Sequence, residues 1–405
     1  MAEASEVTAR VDLPIEEVSL PERARWPMLA LAIGVLGWIA TAVLGAGEAD
    51  RFFHSYLVAY VFVLSLALGG LFFVLLQFLT RAGWSVVVRR LAEHVMGSLP
   101  LFLILFLPIA IGVHDLYHWS HEEAVASDAL LAHKASYLNP AGFYLRAAVY
   151  LVSWALLGWW LRKMSLEQDE SGLVAISGRL RTLSAPAMIW FGVSMTLATV
   201  DWIMSLDPHW YSTIFGVYYF SGSVVGILAL LLVFLVYLQG KGALVRSVTG
   251  EHYHDLGKLL FGFTAFWAYI AFSQFMLIWY GNIPEETVWY AHRWEHGWQG
   301  VSVVLAIGHF VVPFFFLLPR RVKRQRVSIL IASCWLLLMH YVDMYWLVMP
   351  SFRPEQGLHL HILDLTTLVA VGGVFLGVVG ILMRRSSLVP VRDPRLAESL
   401  AFENA

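Results

Sequence analysis

The stretch Ser55-Tyr-Leu-Val-Ala-Tyr-Val-Phe-Val-Leu-Ser-Leu-Ala-Leu-Gly-Gly-Leu-Phe-Phe-Val-Leu-Leu-Gln-Phe-Leu79 decides the fold. It holds no charged residue, and as a helix rising about 1.5 Å per residue it reaches past the roughly 30 Å hydrocarbon core of a bilayer. Similar runs lie near 27–45, 95–113, 141–161, 186–206, 212–239, 256–280, 298–318, 327–349 and 360–383. None alternates with period two, which excludes a membrane barrel. The expected fold is therefore all-α and integral to a membrane, with about ten transmembrane helices.

Composition agrees. Of 405 residues 59% are hydrophobic and only 14% charged, with a mean hydropathy of +0.68, whereas a soluble domain carries about 25% charge. The net charge of −2 gives no reason to expect a nucleic-acid partner. The 17 Trp, 16 Tyr and 25 Phe cluster at the ends of apolar runs, where aromatic side chains anchor a helix at the membrane interface. Cys334 is the single cysteine, which excludes an intrachain disulfide and a thiolate-ligated iron–sulfur cluster. It reads as a small buried hydrophobe.

Residues 1–26 are polar and acidic (Glu3, Glu6, Asp12, Glu16, Glu17, Glu22), unlike the basic start of a signal peptide. They read as a tail on the membrane surface, before a first run from Trp26 to Leu44 that stays in the membrane. The membrane domain covers 27–383, and 384–405 form a second tail. Of the 27 Lys and Arg, only Arg51, Lys134, Arg146, Arg293 and Arg353 fall in or beside the loops of one side. The positive-inside rule makes that side the outer one and puts both termini in the cytoplasm. The outer loops are instead rich in His and acid, such as His114, Asp115, His118, His121, Glu122, Glu123 and His133, then Glu285, Glu286, His292, Glu295 and His296. They suit a docking face.

An internal repeat shows in spans five and nine. Val200-Asp201 precedes Pro208 by the same spacing with which Val342-Asp343 precedes Pro350. Spans three and seven also end alike, Leu116-Tyr-His-Trp119 against Ile278-Trp-Tyr-Gly-Asn282. Four spans separate the members of each pair, so the copies run in the same direction. Two four-helix bundles follow, spans two to five (about 55–206) and six to nine (about 212–349), related by an axis along the membrane normal and flanked by spans one and ten.

Ionisable groups within the spans are the functional candidates, because a charge near the bilayer centre costs on the order of 3 kcal/mol by insertion scales. They are Asp201, His309, His340, Asp343 and Asp364, with Gln274 and Arg146 nearby. His340 and Asp343 share a helix face, and His309 reaches a depth similar to His340. Asp201, Asp343 and His340 are expected in one polar cluster or in two repeat-related ones. Carboxylates and imidazoles in a dry pocket suit the proton release that accompanies quinol oxidation, or a proton relay; the alternative is an Asp–His pair that only locks helix packing. Arg146 reads as an interface anchor or ion-pair partner. Haem between His309 and His340 lacks a second axial pair. The turn Asp201 to Ser212 ends its helix at Pro208 and offers Asp207 and His209 to a docked partner, as the 285–296 loop offers His292 and His296.

The run Met204-Ser-Leu-Asp-Pro-His-Trp-Tyr-Ser-Thr-Ile-Phe-Gly-Val-Tyr-Tyr-Phe220 resembles the polysulfide-reductase-like (NrfD-like) membrane subunits of bacterial alternative complex III, and so does Phe266-Trp-Ala-Tyr-Ile-Ala-Phe-Ser-Gln-Phe-Met-Leu-Ile-Trp-Tyr-Gly-Asn-Ile-Pro-Glu-Glu286. The chain is most similar to the second of two such subunits, over essentially all ten spans. The resemblance implies a quinol:cytochrome c (electron acceptor) oxidoreductase complex of the bacterial inner membrane. It implies partners as well: a homologous NrfD-like subunit, a periplasmic iron–sulfur protein and multihaem and monohaem cytochrome c subunits. Haem c and iron–sulfur clusters would then belong to those partners, with no cofactor bound by this chain beyond quinone. In such complexes the sibling nearest the iron–sulfur protein is the better candidate for quinol oxidation, which leaves this chain a proton relay, a quinone-facing pocket near the periplasmic side, or a scaffold. A secondary transporter is the alternative from another class, since repeats and midplane charges mark those too; the outer-half placement of the charges and the lack of a broken helix pair at mid-depth speak against it.

Overall fold

The computed structural model describes residues 7–21 and 24–404; Glu3, Glu6, Glu22 and Arg23, used above for the tail and for orientation, lie outside the described residues. Among the described residues ten helices are long and apolar enough to cross a membrane. They are α1 (Trp26–Leu44), α2 (Ala49–Leu79), α3 (Val86–Ile111), α4 (Pro140–Ser171), α5 (Val174–Leu206), α6 (Phe215–Gly240), α7 (Gly250–Gly281), α8 (Trp298–Leu317), α9 (Arg326–Ser351) and α10 (Ile362–Arg384). Among the described residues there is no strand, only an isolated bridge between Val7 and Leu173. The chain is a multi-pass, all-α membrane protein. Helices α4, α5 and α7 run well past the apolar segments on the side that carries both tails, because once out of the lipid a helix still satisfies its own backbone.

Helices α2 and α6 are buried along most of their length and lie against each other. Around α2 pack α3 and α5, and α4 rests on α5; around α6 pack α7 and α9, with α8 bridging them. Helix α10 packs on α2 and carries α1 on its outer face. That last contact is backbone to backbone. A Cβ placed on Gly37 would lie 2.7 Å from the Ala370 nitrogen, and one on Gly373 would lie 2.6 Å from the Gly34 Cα. Small residues are what let two membrane helices approach so closely.

Two helices depart from regularity. Helix α3 is interrupted at Gly97–Pro100, at Phe106 and at Gly112, since Pro100 and Pro108 lack the N–H that would continue the ladder. Two carbonyls beside the break at Phe106 accept from α2: Tyr56 donates to the Leu105 oxygen at 2.6 Å and Tyr60 to the Phe102 oxygen at 3.4 Å. In α8, residues Leu305–Val311 wind as a π-helix, and Trp335 donates to the Gly308 oxygen at 2.7 Å. Helix α5, by contrast, passes through Pro186 unbroken. Cys334 also differs from expectation, for it is exposed on the outer surface of α9 rather than buried.

The two tails interlock. The Glu17 carboxylate accepts from the Arg246 and Ser247 N–H groups at 2.6 and 2.7 Å, and Leu388 N–H donates to the Val18 oxygen at 2.7 Å. Beneath them lies a buried charge network: Arg89 with Asp393 at 2.5 Å, Arg90 with Glu93 at 2.9 Å and Arg90 with Asp169 at 2.7 Å.

If α1 is held by backbone contact, Gly37→Leu will detach it from α10. Overpacking costs on the order of 1–3 kcal/mol, so thermal unfolding in detergent should start at lower temperature. Gly192→Leu, at a glycine with nothing within 4 Å of its Cβ position, should leave the transition unmoved; equal effects of the two substitutions would refute the close-contact account.

Candidate functional site

One turn of α9 carries His340 and Asp343, both fully buried and i, i+3 apart, so they face the same neighbour. That neighbour is α6 at two glycines. A Cβ on Gly222 would lie 2.9 Å from His340 Cε1 and 3.7 Å from Asp343 Oδ2, and one on Gly226 would lie 3.0 Å from His340 Cδ2. The glycines make a slot in which the imidazole and the carboxyl sit side by side.

Among the described residues the Asp343 carboxyl meets two neutral donors and no cation. Tyr218 Oη donates to Oδ1 at 2.5 Å and Trp267 Nε1 donates to Oδ2 at 3.0 Å. The Trp267 indole stacks on His309 with centroids 3.9 Å apart, and His309 lies 6.5 Å from His340, centroid to centroid. His340 Nε2 is 2.7 Å from Ser65 Oγ on α2. Both nitrogens of His309 and Nδ1 of His340 have no hydrogen-bond partner among the described residues. Five helices thus contribute to one buried chain of polar groups, and the π-helical turn of α8 is what places His309 in it.

Asp201 stands in a different kind of site. Arg146 of α4 grips it with Nε at 2.9 Å and Nη2 at 3.0 Å, and Tyr150 Oη donates to Oδ2 at 3.2 Å. This is a bidentate, charge-assisted pair, with Arg146 lying 3.9 Å over the Tyr137 ring. The sequence match between the two aspartates therefore does not extend to their partners: Asp201 is held from α4, Asp343 from α6 and α7. The two span ends that read alike also differ in setting, since Tyr117 and Trp119 are buried whereas Trp279 and Tyr280 are 66% and 81% exposed.

The remaining candidates disperse. Asp364, in the first turn of α10, is 2.5 Å from Arg51 Nη2; it also accepts from Ser55 Oγ at 2.6 Å, from the His361 N–H at 2.9 Å and from Tyr345 Oη at 3.3 Å. It fastens α10 to α2 and α9 as a cap and ion pair. Gln274 accepts from Ser212 Oγ at 2.9 Å and donates to Tyr290 Oη at 3.1 Å, tying two loops together. On the same face Asp207 and His292 are half-buried, while His209 and His296 are exposed. His209 Nε2 is 2.6 Å from the Asp128 carboxylate.

A cavity of about 1060 Å³ lies between α7 and α8 under the short helix Pro284–His292. Tyr218, Trp267, Tyr290, Arg293 and Trp346 stand in its walls. Neither His309 nor His340 lines it, and with one ring stacked on indole and the other bonded to a serine, the pair does not fit a haem. Tyr218, Trp267 and Ser65 are the members of this polar chain that charge counting overlooks, and Arg293, counted above only for orientation, stands in the cavity wall. A signal for Tyr218 existed, because it lies one turn before Gly222 on the glycine face of α6; Trp267 and Ser65 look like ordinary span residues.

Two outcomes follow. Arg146→Ala should destabilise the protein by up to about 3 kcal/mol, as a buried carboxylate loses its partner, and adding Asp201→Asn should restore part of the loss; a double variant no better than the single one, by thermal unfolding in detergent, would refute the pairing. Hydrogen bonds from His209 and from the Leu130 and Leu131 N–H groups hold Asp128 below the ordinary carboxylate value. This link between the loops is therefore complete above about pH 4 and is lost as pH falls through the lowered value. Protection of the Leu130 and Leu131 amides against hydrogen exchange, taken relative to the intrinsic rate at each pH, should fall only in that acid range.

Compared with models of protein families and with curated proteins, the chain matches none.

Proposed function

We propose that this chain is a membrane subunit of a quinol:electron-acceptor oxidoreductase complex in a bacterial inner membrane, and that its own contribution is a proton relay centred on Asp343. The two motifs that resemble NrfD-like subunits support the complex. The single observation that carries the relay is a buried carboxyl met only by neutral donors. An ion-paired carboxylate such as Asp201 must break its pair to accept a proton. Asp343 breaks none.

In this reading a proton reaches Asp343 through Tyr218, whose ring stands in the cavity wall, as the phenol hands its own proton on and is refilled from the cavity side. His309 and His340, with unpartnered ring nitrogens beside the carboxyl, extend the path toward Ser65 and α2. Both tails are cytoplasmic. The opposite face, with Asp207, His209, His292 and His296, is where the iron–sulfur protein, the cytochrome c subunits and the NrfD-like sibling dock. Haem and iron–sulfur clusters reside in those partners. The quinone-facing alternative has its site in the cavity beside Tyr218; a neutral ring there would leave the Arg293 charge unanswered, which favours the relay. The transporter reading is weakened because the carbonyls beside the interruption of α3 at Phe106, those of Leu105 and Phe102, accept from Tyr56 and Tyr60 instead of being offered to an ion.

The deciding experiment is Asp343→Asn in the purified complex, assayed for quinol oxidation and, in liposomes, for proton movement. Proton movement should fall at least about tenfold, as for loss of a positioned proton carrier, while quinol oxidation persists. Loss of both in an intact complex would move the chemistry to the quinone-facing reading. Full activity of both would leave a scaffold, and purification of the chain without redox partners would favour a transporter.

A further inference from the structure

The cavity between α7 and α8 carries one formal charge among its described lining residues, and that charge is buried. Arg293 is 2% exposed. Its Nε, Nη1 and Nη2 donate to the Trp346, Trp289 and Leu347 oxygens at 3.2, 2.9 and 2.9 Å, and its guanidinium lies 3.4 Å over the Trp289 ring. A guanidinium has five N–H groups, so two remain beyond these three bonds. Burial pulls Arg293 down to about 9, which leaves it a cation at neutral pH. The acid nearest in effect is Asp207, yet it forms no ion pair with Arg293, nor does any other carboxylate among the described residues. Main-chain carbonyls satisfy donors but do not neutralise a charge, and a buried charge without a counter-charge is costly.

Most of the rest of the cavity wall is apolar. Phe272 of α7 and Val303 of α8 line it and are 61% and 44% exposed, so the cavity is open between the two helices. Lining residues on α7 run from Ala265 to Trp279, with Asn282 just beyond it, roughly 25 Å at 1.5 Å per residue. That is the span from the interface past the midplane of a core about 30 Å thick. Arg293 sits at the interfacial end, ahead of Trp298 where α8 begins.

We propose that this cavity is a binding site for an anionic phospholipid, with the phosphate on the two free N–H groups of Arg293 and an acyl chain lying between α7 and α8. Bidentate guanidinium–phosphate pairing supplies the missing counter-charge, and the lateral opening lets the lipid enter from the bilayer. The inference does not depend on the relay; Asp343 lies behind Tyr218 and Trp267 and touches no lipid in it.

The test uses the full chain purified in detergent, stripped of lipid and titrated with dioleoylphosphatidylglycerol, with native mass spectrometry counting bound lipid. One lipid should bind at least about tenfold more tightly than dioleoylglycerol, which lacks the phosphate. Arg293→Gln should lose that preference. Ala268→Trp, which fills the cavity and leaves Arg293 in place, should lose the lipid altogether; it decides alone where the Arg293 variant fails to fold. Equal affinity for dioleoylglycerol, tighter binding of oleate or of a short-chain quinone, or unchanged binding in Ala268→Trp would each overturn the proposal.

Discussion

Everything in this protein is arranged about the line where α2 meets α6. At Gly69 a Cβ would lie 2.5 Å from the Ser223 oxygen, and at Gly226 one would lie 2.7 Å from Leu66 Cδ2, so each helix comes close where the other has only a glycine. Tyr219 Oη donates to the Val61 oxygen at 2.6 Å across the same seam. Two helices enclosed this fully have no lipid to face, and each polar atom on them must find a partner inside the protein. Ser65 therefore meets His340, Tyr218 meets Asp343, and Tyr56 and Tyr60 turn to carbonyls of α3. The polar chain follows from the close contact, because glycines that admit one backbone also leave slots for side chains.

That constraint explains why two aspartates at matching sequence positions end in different chemistry. Asp201 lies at the end of α5, where α4 brings Arg146 with one-fifth of its side chain still exposed, so the cation keeps part of its hydration and the pair forms cheaply. Asp343 lies against α6 with no exposed surface at all. A second buried ion there would add its own desolvation, and a phenol and an indole serve instead. One site is a clamp, and the other is a buried carboxyl held by neutral donors.

The ten helices are legible in the sequence because lipid imposes a crude rule: a long apolar run has nowhere else to go. Which ionisable residues lie inside is legible for the same reason. What each of them touches is not. Tyr218 and Trp267 look like any span aromatic until α6, α7 and α9 are brought together, and the π-helical turn that carries His309 to Trp267 has no mark beyond Gly308 and the later Pro313. Asp364 reads as an intramembrane acid only because the start of α10 could not be fixed within a few residues; once the helix begins at Ile362, Asp364 falls in its first turn, where acids cap helices by rule. Cys334 reads as buried because free thiols usually are, yet on a lipid-facing surface apolar character carries no information about burial.

Arg293 obeys the same constraint at the cavity. Its guanidinium meets carbonyls in the last turns of α9, at Trp346 and Leu347, which draw a cation as a helix C-terminus does, and the Trp289 ring lies against its face. Asp343 is met by a phenol and an indole instead. Among the described residues neither group has an oppositely charged side chain against it, and an unanswered charge or carboxyl in a membrane is where function is to be sought.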